Sequence, residues 1–206
     1  MLKEVYIELL GQYDVVQSKV DEFWEEIESK HSEKGRYYHN LTHLEDLYQQ
    51  LIKVRSSVEN WESVLFSLFY HDVIYNVSKA NNEEKSAELA VARMKEIGAN
   101  RTEIELTKKI ILATKSHSID QNSDVNTFTD ADLSILGRDS DVYAKYCENI
   151  RKEYSMYPDF LYKKGRKRVV KHFLSMPLIY KTHHFQIEFE ENARQNLNQE
   201  IVFSLR

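Results

Sequence analysis

The 206-residue chain carries 42% hydrophobic and 30% charged residues at a net charge of -5, a balance that argues against a disordered or membrane-embedded protein and fits one globular domain over residues 1–206. A net acidic chain lacks the global positive field of a protein that holds long nucleic acid through its phosphates. Its one cysteine, Cys147, cannot form an internal disulfide and has no partner motif around it, so no oxidising compartment is implied.

The opening segment MLKEVYIELLGQYDVV has acids inside its apolar stretch and no small-residue cleavage pattern, so no secretory signal is expected. No apolar run approaches the roughly 20 residues of a membrane span. A cytoplasmic protein with no membrane partner is the expectation.

Five glycines and two prolines leave few breaker signals, while Leu, Ile, Glu, Lys and Ala recur at helical spacing, so the fold class is all-α, a compact helical bundle. A first helix is predicted from Tyr6 to Lys30, with Leu9, Tyr13, Val16, Val20, Phe23 and Ile27 as its apolar stripe. It should end before SEKGR. Further helices are expected in LTHLEDLYQQLIKV, ESVLFSLFYHDVIY, NEEKSAELAVARMKEI, RTEIELTKKIILATKSH, DADLSILG and VYAKYCENIRKEYSMY, with two more over residues 165–205. The stretch SIDQNSDVNTFTD, rich in Asp, Asn and Ser, is predicted as a loop.

His71 and Asp72 follow the apolar run LFSLFY, which places both in or beside the core. Burying an unpaired carboxylate is costly, so Asp72 needs a cation or several donors. Alone, the pair also admits a helix-end carboxylate bonded to backbone N–H groups beside a core histidine. Two more residues favour a metal. His43 lies 28 residues before His71 at the start of THLEDLYQQL, and Asp132 lies 60 residues after Asp72 near the start of DADLSILG. Two imidazoles and two carboxylates from three helices make a nitrogen and oxygen shell without thiolate, suited to Mn²⁺, Mg²⁺, Fe²⁺, Ni²⁺ or Co²⁺ rather than structural zinc.

These residues resemble the HD superfamily of metal-dependent phosphohydrolases, whose signature is a first His, a His-Asp pair and a distant Asp. RYYHNLTHL, LFYHDVIY, NNEEKSAELA, ILATKSH, TDADLSILG, YKKGRKRVVKHFL and IYKTHHFQIEFEENARQNL are similar, in order, to a group of small bacterial predicted HD phosphohydrolases over residues 35–200. The resemblance implies that His43, His71, Asp72 and Asp132 hold a divalent metal ion in a central cleft. Asp130 is the competing choice for the last ligand, and the family's Ala before the ligand favours Asp132. It further implies that Asp72 sits beside the attacking water as the catalytic residue, and that the substrate is a phosphate ester or anhydride, nucleotide-sized or similar.

Substrate-binding candidates are Arg36, His39, Glu83 (or Glu84), His117 and Arg166. Each has a plainer reading: a surface ion pair for Arg36, a helix start for His39, a dipole-favoured helix end for Glu83, Glu84 and His117, and a solvated face for the basic run from Lys163 to Lys171 that holds Arg166. Tyr38, Tyr70 or Tyr75 could stack on a base. His172, His183 and His184 read as structural. The alternative function is a non-catalytic nucleotide or metal sensor of the same fold. Homo-oligomerisation is left open.

Overall fold

A computed structural model describes residues 1–203, and these are all-helical: ten α-helices and three short 3₁₀ turns, without strands among the described residues. The predicted end of the last helix at residues 204–205 lies outside the described residues. Packing divides the chain into two compact units, Met1–Thr129 and the part from Asp130 onward.

The first unit comprises α1 (Leu2–Leu10), α2 (Gln17–His31), α3 (Leu41–Lys53), α4 (Trp61–Tyr70), α5 (Asn82–Glu96), α6 (Arg101–Ala113) and most of α7 (Ser123–Asp132). Helix α4 is its centre. Every residue from Ser63 to Tyr70 is buried, so the apolar run has no polar face. Ser63 and Ser67 keep α4 thin on the side of α6, where the Thr107 hydroxyl donates to the Ser63 carbonyl at 3.3 Å. On another side Tyr6 of α1 meets Phe69 edge-on at 4.9 Å, and the Tyr6 and Tyr70 hydroxyls bond at 2.9 Å. Tyr70 is therefore a core residue and no base-stacking platform.

Several expected boundaries move. The predicted helix 6–30 breaks into α1, a 3₁₀ turn at Gly11–Tyr13 and α2, because Asp14 takes a left-handed φ of 50° that a helix interior does not admit. Val16, expected in the apolar stripe, is exposed. Helix α6 stops at Ala113 rather than running to His117, whose φ is 50°.

The third correction concerns the predicted loop. Its second half is helix α7. Asn122 caps it, accepting from the backbone N–H of Asp124 at 2.9 Å and of Val125 at 3.2 Å. Asp124, buried, accepts from the backbone N–H of Glu59 and Asn60 at 2.9 and 2.8 Å, which ties the first turn of α7 to the start of α4. The division into units falls inside this continuous helix. Asp132 is accordingly the last residue of α7, not the first of a new helix, and Leu133–Gly137 form a 3₁₀ turn.

The second unit packs that turn, α8 (Ser140–Glu153) and α9 (Asp159–Ser175) with α10 (His183–Phe203). Gly137 permits the closest approach: a Cβ there would lie 2.5 Å from the Phe189 carbonyl oxygen of α10. The segment between α9 and α10 is held by two carboxylates. Glu190 accepts from the N–H of Ile179 and Tyr180, and Asp130 accepts from those of Lys181 and Thr182.

Candidate metal centre

Local sequence accounts for how each ligand candidate is held. Asn40 caps α3, its side chain accepting from Thr42 N–H at 2.9 Å and His43 N–H at 3.4 Å, and so fixes His43 in the first turn. His71 follows the last residue of α4, with Nδ1 3.1 Å from the Leu68 carbonyl. A carbonyl only accepts, so Nδ1 carries the proton and Nε2 presents its lone pair. Phe128 of α7 meets the His71 ring edge-on at 5.6 Å, and Asp132 lies one turn beyond it on the same helix.

The ligand atoms converge. His43 Nε2 and His71 Nε2 are 3.2 Å apart, and Asp72 Oδ2 stands 3.0 Å from the second and 3.7 Å from the first. His43, His71 and Asp132 form a group whose ligand atoms all lie within 4.8 Å of one another. Lone-pair atoms at such distances repel unless a positive charge sits among them. For an octahedral ion with bonds of about 2.1 Å, adjacent ligand atoms are about 3.0 Å apart, close to the His43–His71 and His71–Asp72 separations and shorter than the 3.7 Å from His43 to Asp72. A single proton bridges one such contact, whereas a divalent ion among His43, His71 and Asp132 could satisfy that group together.

Burial works against ionisation of Asp72, but the imidazoles of His71, His39 and His43 outweigh it and hold the carboxyl well below its usual range. The side chains of His43 and His71 are 4% and 1% exposed, whereas that of Asp72 is 20% exposed. Asp72 and Asp132 are the partly buried members of the cluster, between two buried imidazoles.

Asp130 and Asp132 separate clearly. Asp130 is fully buried and both its oxygens are engaged: by the N–H groups of Lys181 and Thr182, the Thr182 hydroxyl at 2.9 Å and the Lys181 ammonium at 2.8 Å. It closes the entry to α10. Asp130→Ala should cost about 3–5 kcal/mol by leaving the Lys181 ammonium buried without its partner, and should leave metal affinity unchanged. Asp132→Ala should do the reverse, weakening metal binding with little loss of stability. Chemical denaturation and calorimetric Mn²⁺ titration of the two variants check both halves.

The expected substrate residues scatter. Arg36 donates to the carbonyls of Asp72 at 2.6 Å, Val73 at 3.0 Å and His39 at 3.2 Å, not to solvent. His39 stacks on Tyr75 at 4.2 Å, and Tyr38 lies 4.8 Å from the His43 ring, so this aromatic group borders the cluster. Glu83 and Glu84 face Lys115, Glu84 through a short hydrogen bond and Glu83 at 3.8 Å. His117 occupies the turn after α6. Arg166 belongs to the second unit, where its guanidinium grips Glu200 at 2.8 and 3.0 Å and meets the hydroxyls of Tyr146 and Tyr143. Beside it, burial pushes the Cys147 thiol up to about 11, so the thiolate that would make it reactive is scarce at neutral pH.

Sequence reasoning missed His31. It is buried at the end of α2, bonds the Ile27 carbonyl through Nδ1 at 2.9 Å, and its Nε2 has no hydrogen-bond partner among the described residues. Burial pushes its imidazole down to about 3. The signal was present: His31 extends the Phe23, Ile27 stripe by one more step of four.

Among the described residues no helix is long and apolar enough to cross a membrane. Comparison with protein-family models, curated proteins and solved structures found no match in any of the three.

Proposed function

We propose that this chain is a metal-dependent phosphohydrolase of the HD type, cleaving a phosphate ester or anhydride of a nucleotide or similar small molecule. The observation that carries the reading is the meeting of His43, His71 and Asp132 ligand atoms beside a solvent-reached carboxylate, Asp72. A divalent ion bound there would supply positive charge to phosphoryl oxygens and acidify water.

Asp72 has the second part. With its carboxylate 3.0 Å from His71 Nε2, it can orient or deprotonate an attacking water as the new P–O bond forms and the bond to the leaving group breaks. The His71–Leu68 hydrogen bond keeps that imidazole turned toward the site throughout. The stack of His39 on Tyr75 holds a flat, half-buried surface against which a ring could pack. The Nη groups of Arg36 donate to backbone carbonyls and the guanidinium of Arg166 pairs with Glu200, which favours positioning and structural parts for them over direct binding of phosphate.

The test is a panel of phosphomonoesters, phosphodiesters and nucleotides assayed with Mn²⁺, Mg²⁺, Ni²⁺ and Co²⁺, comparing wild type with Asp72→Ala. Turnover by the wild type on at least one substrate should fall about 10²–10⁴-fold in the variant, the usual weight of a positioned base. Metal binding without turnover above the variant on any substrate would replace the enzyme reading with a nucleotide or metal sensor.

A further inference from the structure

The guanidinium of Arg36 lies at the rear of the cluster, with its side chain only 3% exposed. Nη1 donates to the Asp72 and His39 carbonyls and Nη2 to the Val73 carbonyl, at 2.6, 3.2 and 3.0 Å. These bonds join two segments that lie between helices. One is the stretch of residues 36–40 leading into α3 and His43; the other is the turn after α4 that carries His71, Asp72 and Val73. The Arg36 guanidinium also lies over the Tyr75 ring at 5.5 Å, and Tyr75 stacks on His39, so the same side chain braces the aromatic border.

Taken with the metal centre on which it rests, we infer that Arg36 is a positioning residue. Its planar fork sets the spacing between His43 and the His71–Asp72 pair by holding both backbones, and touches neither ion nor substrate. A lysine offers one compact ammonium on a flexible stem and can reach one of these carbonyls well, not both through a rigid fork.

The test uses the full chain and Co²⁺ alone as probe, read by calorimetry and by the visible absorption of the bound ion, which reports ligand geometry without any substrate. Arg36→Gln should keep the helical circular dichroism and a cooperative melt, yet bind Co²⁺ about 10–100-fold more weakly, the usual effect of losing a group that orients a ligand. Its absorption bands should shift. Arg36→Lys should fall between the variant and wild type in both readouts. Folded Arg36→Gln or Arg36→Lys with wild-type affinity and an unchanged spectrum would overturn the assignment, and so would loss of folding in both variants, which would make Arg36 a stability residue. Absence of Co²⁺ binding by the wild type would instead sink the metal centre itself.

Discussion

His71→Ala should lose metal-dependent stabilisation completely. For wild type, free Mn²⁺ at a thousandfold above its dissociation constant adds about 4.1 kcal/mol to the stability of the folded chain, a shift of several degrees in thermal midpoint. The variant should melt at the same temperature in Mn²⁺ and in chelator. The expectation follows from how much of the centre His71 organises: its Nε2 is 3.2 Å from His43 Nε2 and 3.0 Å from Asp72 Oδ2, and Leu68 fixes its tautomer. Removing it takes away one ligand and the nitrogen 3.0 Å from the Asp72 carboxylate. A melt of His71→Ala in chelator provides its own baseline, so any general destabilisation is read separately. Retention of most of the Mn²⁺ shift would show that the ion binds elsewhere.

The second large effect concerns stability alone. Arg166 and Glu200 have side chains 7% and 4% exposed, and Tyr143 bonds the same carboxylate. Removing one partner strands the other charge in the interior, so Arg166→Met should cost about 3–5 kcal/mol in denaturant unfolding. Replacing both, Arg166→Met with Glu200→Leu, should recover most of that loss, because a buried ion pair exchanged for packed apolar side chains is near neutral. Mn²⁺ affinity per folded molecule should be unchanged in both variants. A substrate-binding Arg166 would give the opposite pattern, with stability spared and the Michaelis constant raised.

The parts of the centre that were legible in the sequence depend on near neighbours. Asn40 before His43 is a capping pattern, and a His-Asp pair after LFSLFY announces polar groups at the edge of a core. What stayed hidden depends on distant partners. Nothing in residues 128–134 says that the carboxylate of Asp130 will be taken by Lys181 and Thr182, and nothing near Arg36 says that its fork closes on residues 72 and 73. Helix α7 was missed for a different reason. Asn122 and Asp124 were weighed as loop formers, whereas the same side-chain acceptors cap helices when an apolar periodicity follows, here Val125, Phe128 and Ala131. The broken first helix shows the converse error, since spacing at three and four ran through Val16 although Gly11 and Asp14 sit where the chain turns.

The most direct test of the central claim is a crystal soaked in Mn²⁺ and measured for anomalous scattering. One peak should stand about 2.0–2.3 Å from both imidazole Nε2 atoms of His43 and His71, with Asp132 and Asp72 oxygens completing the protein side of its shell. No peak at these residues, or full occupancy only at a surface carboxylate cluster, would contradict it.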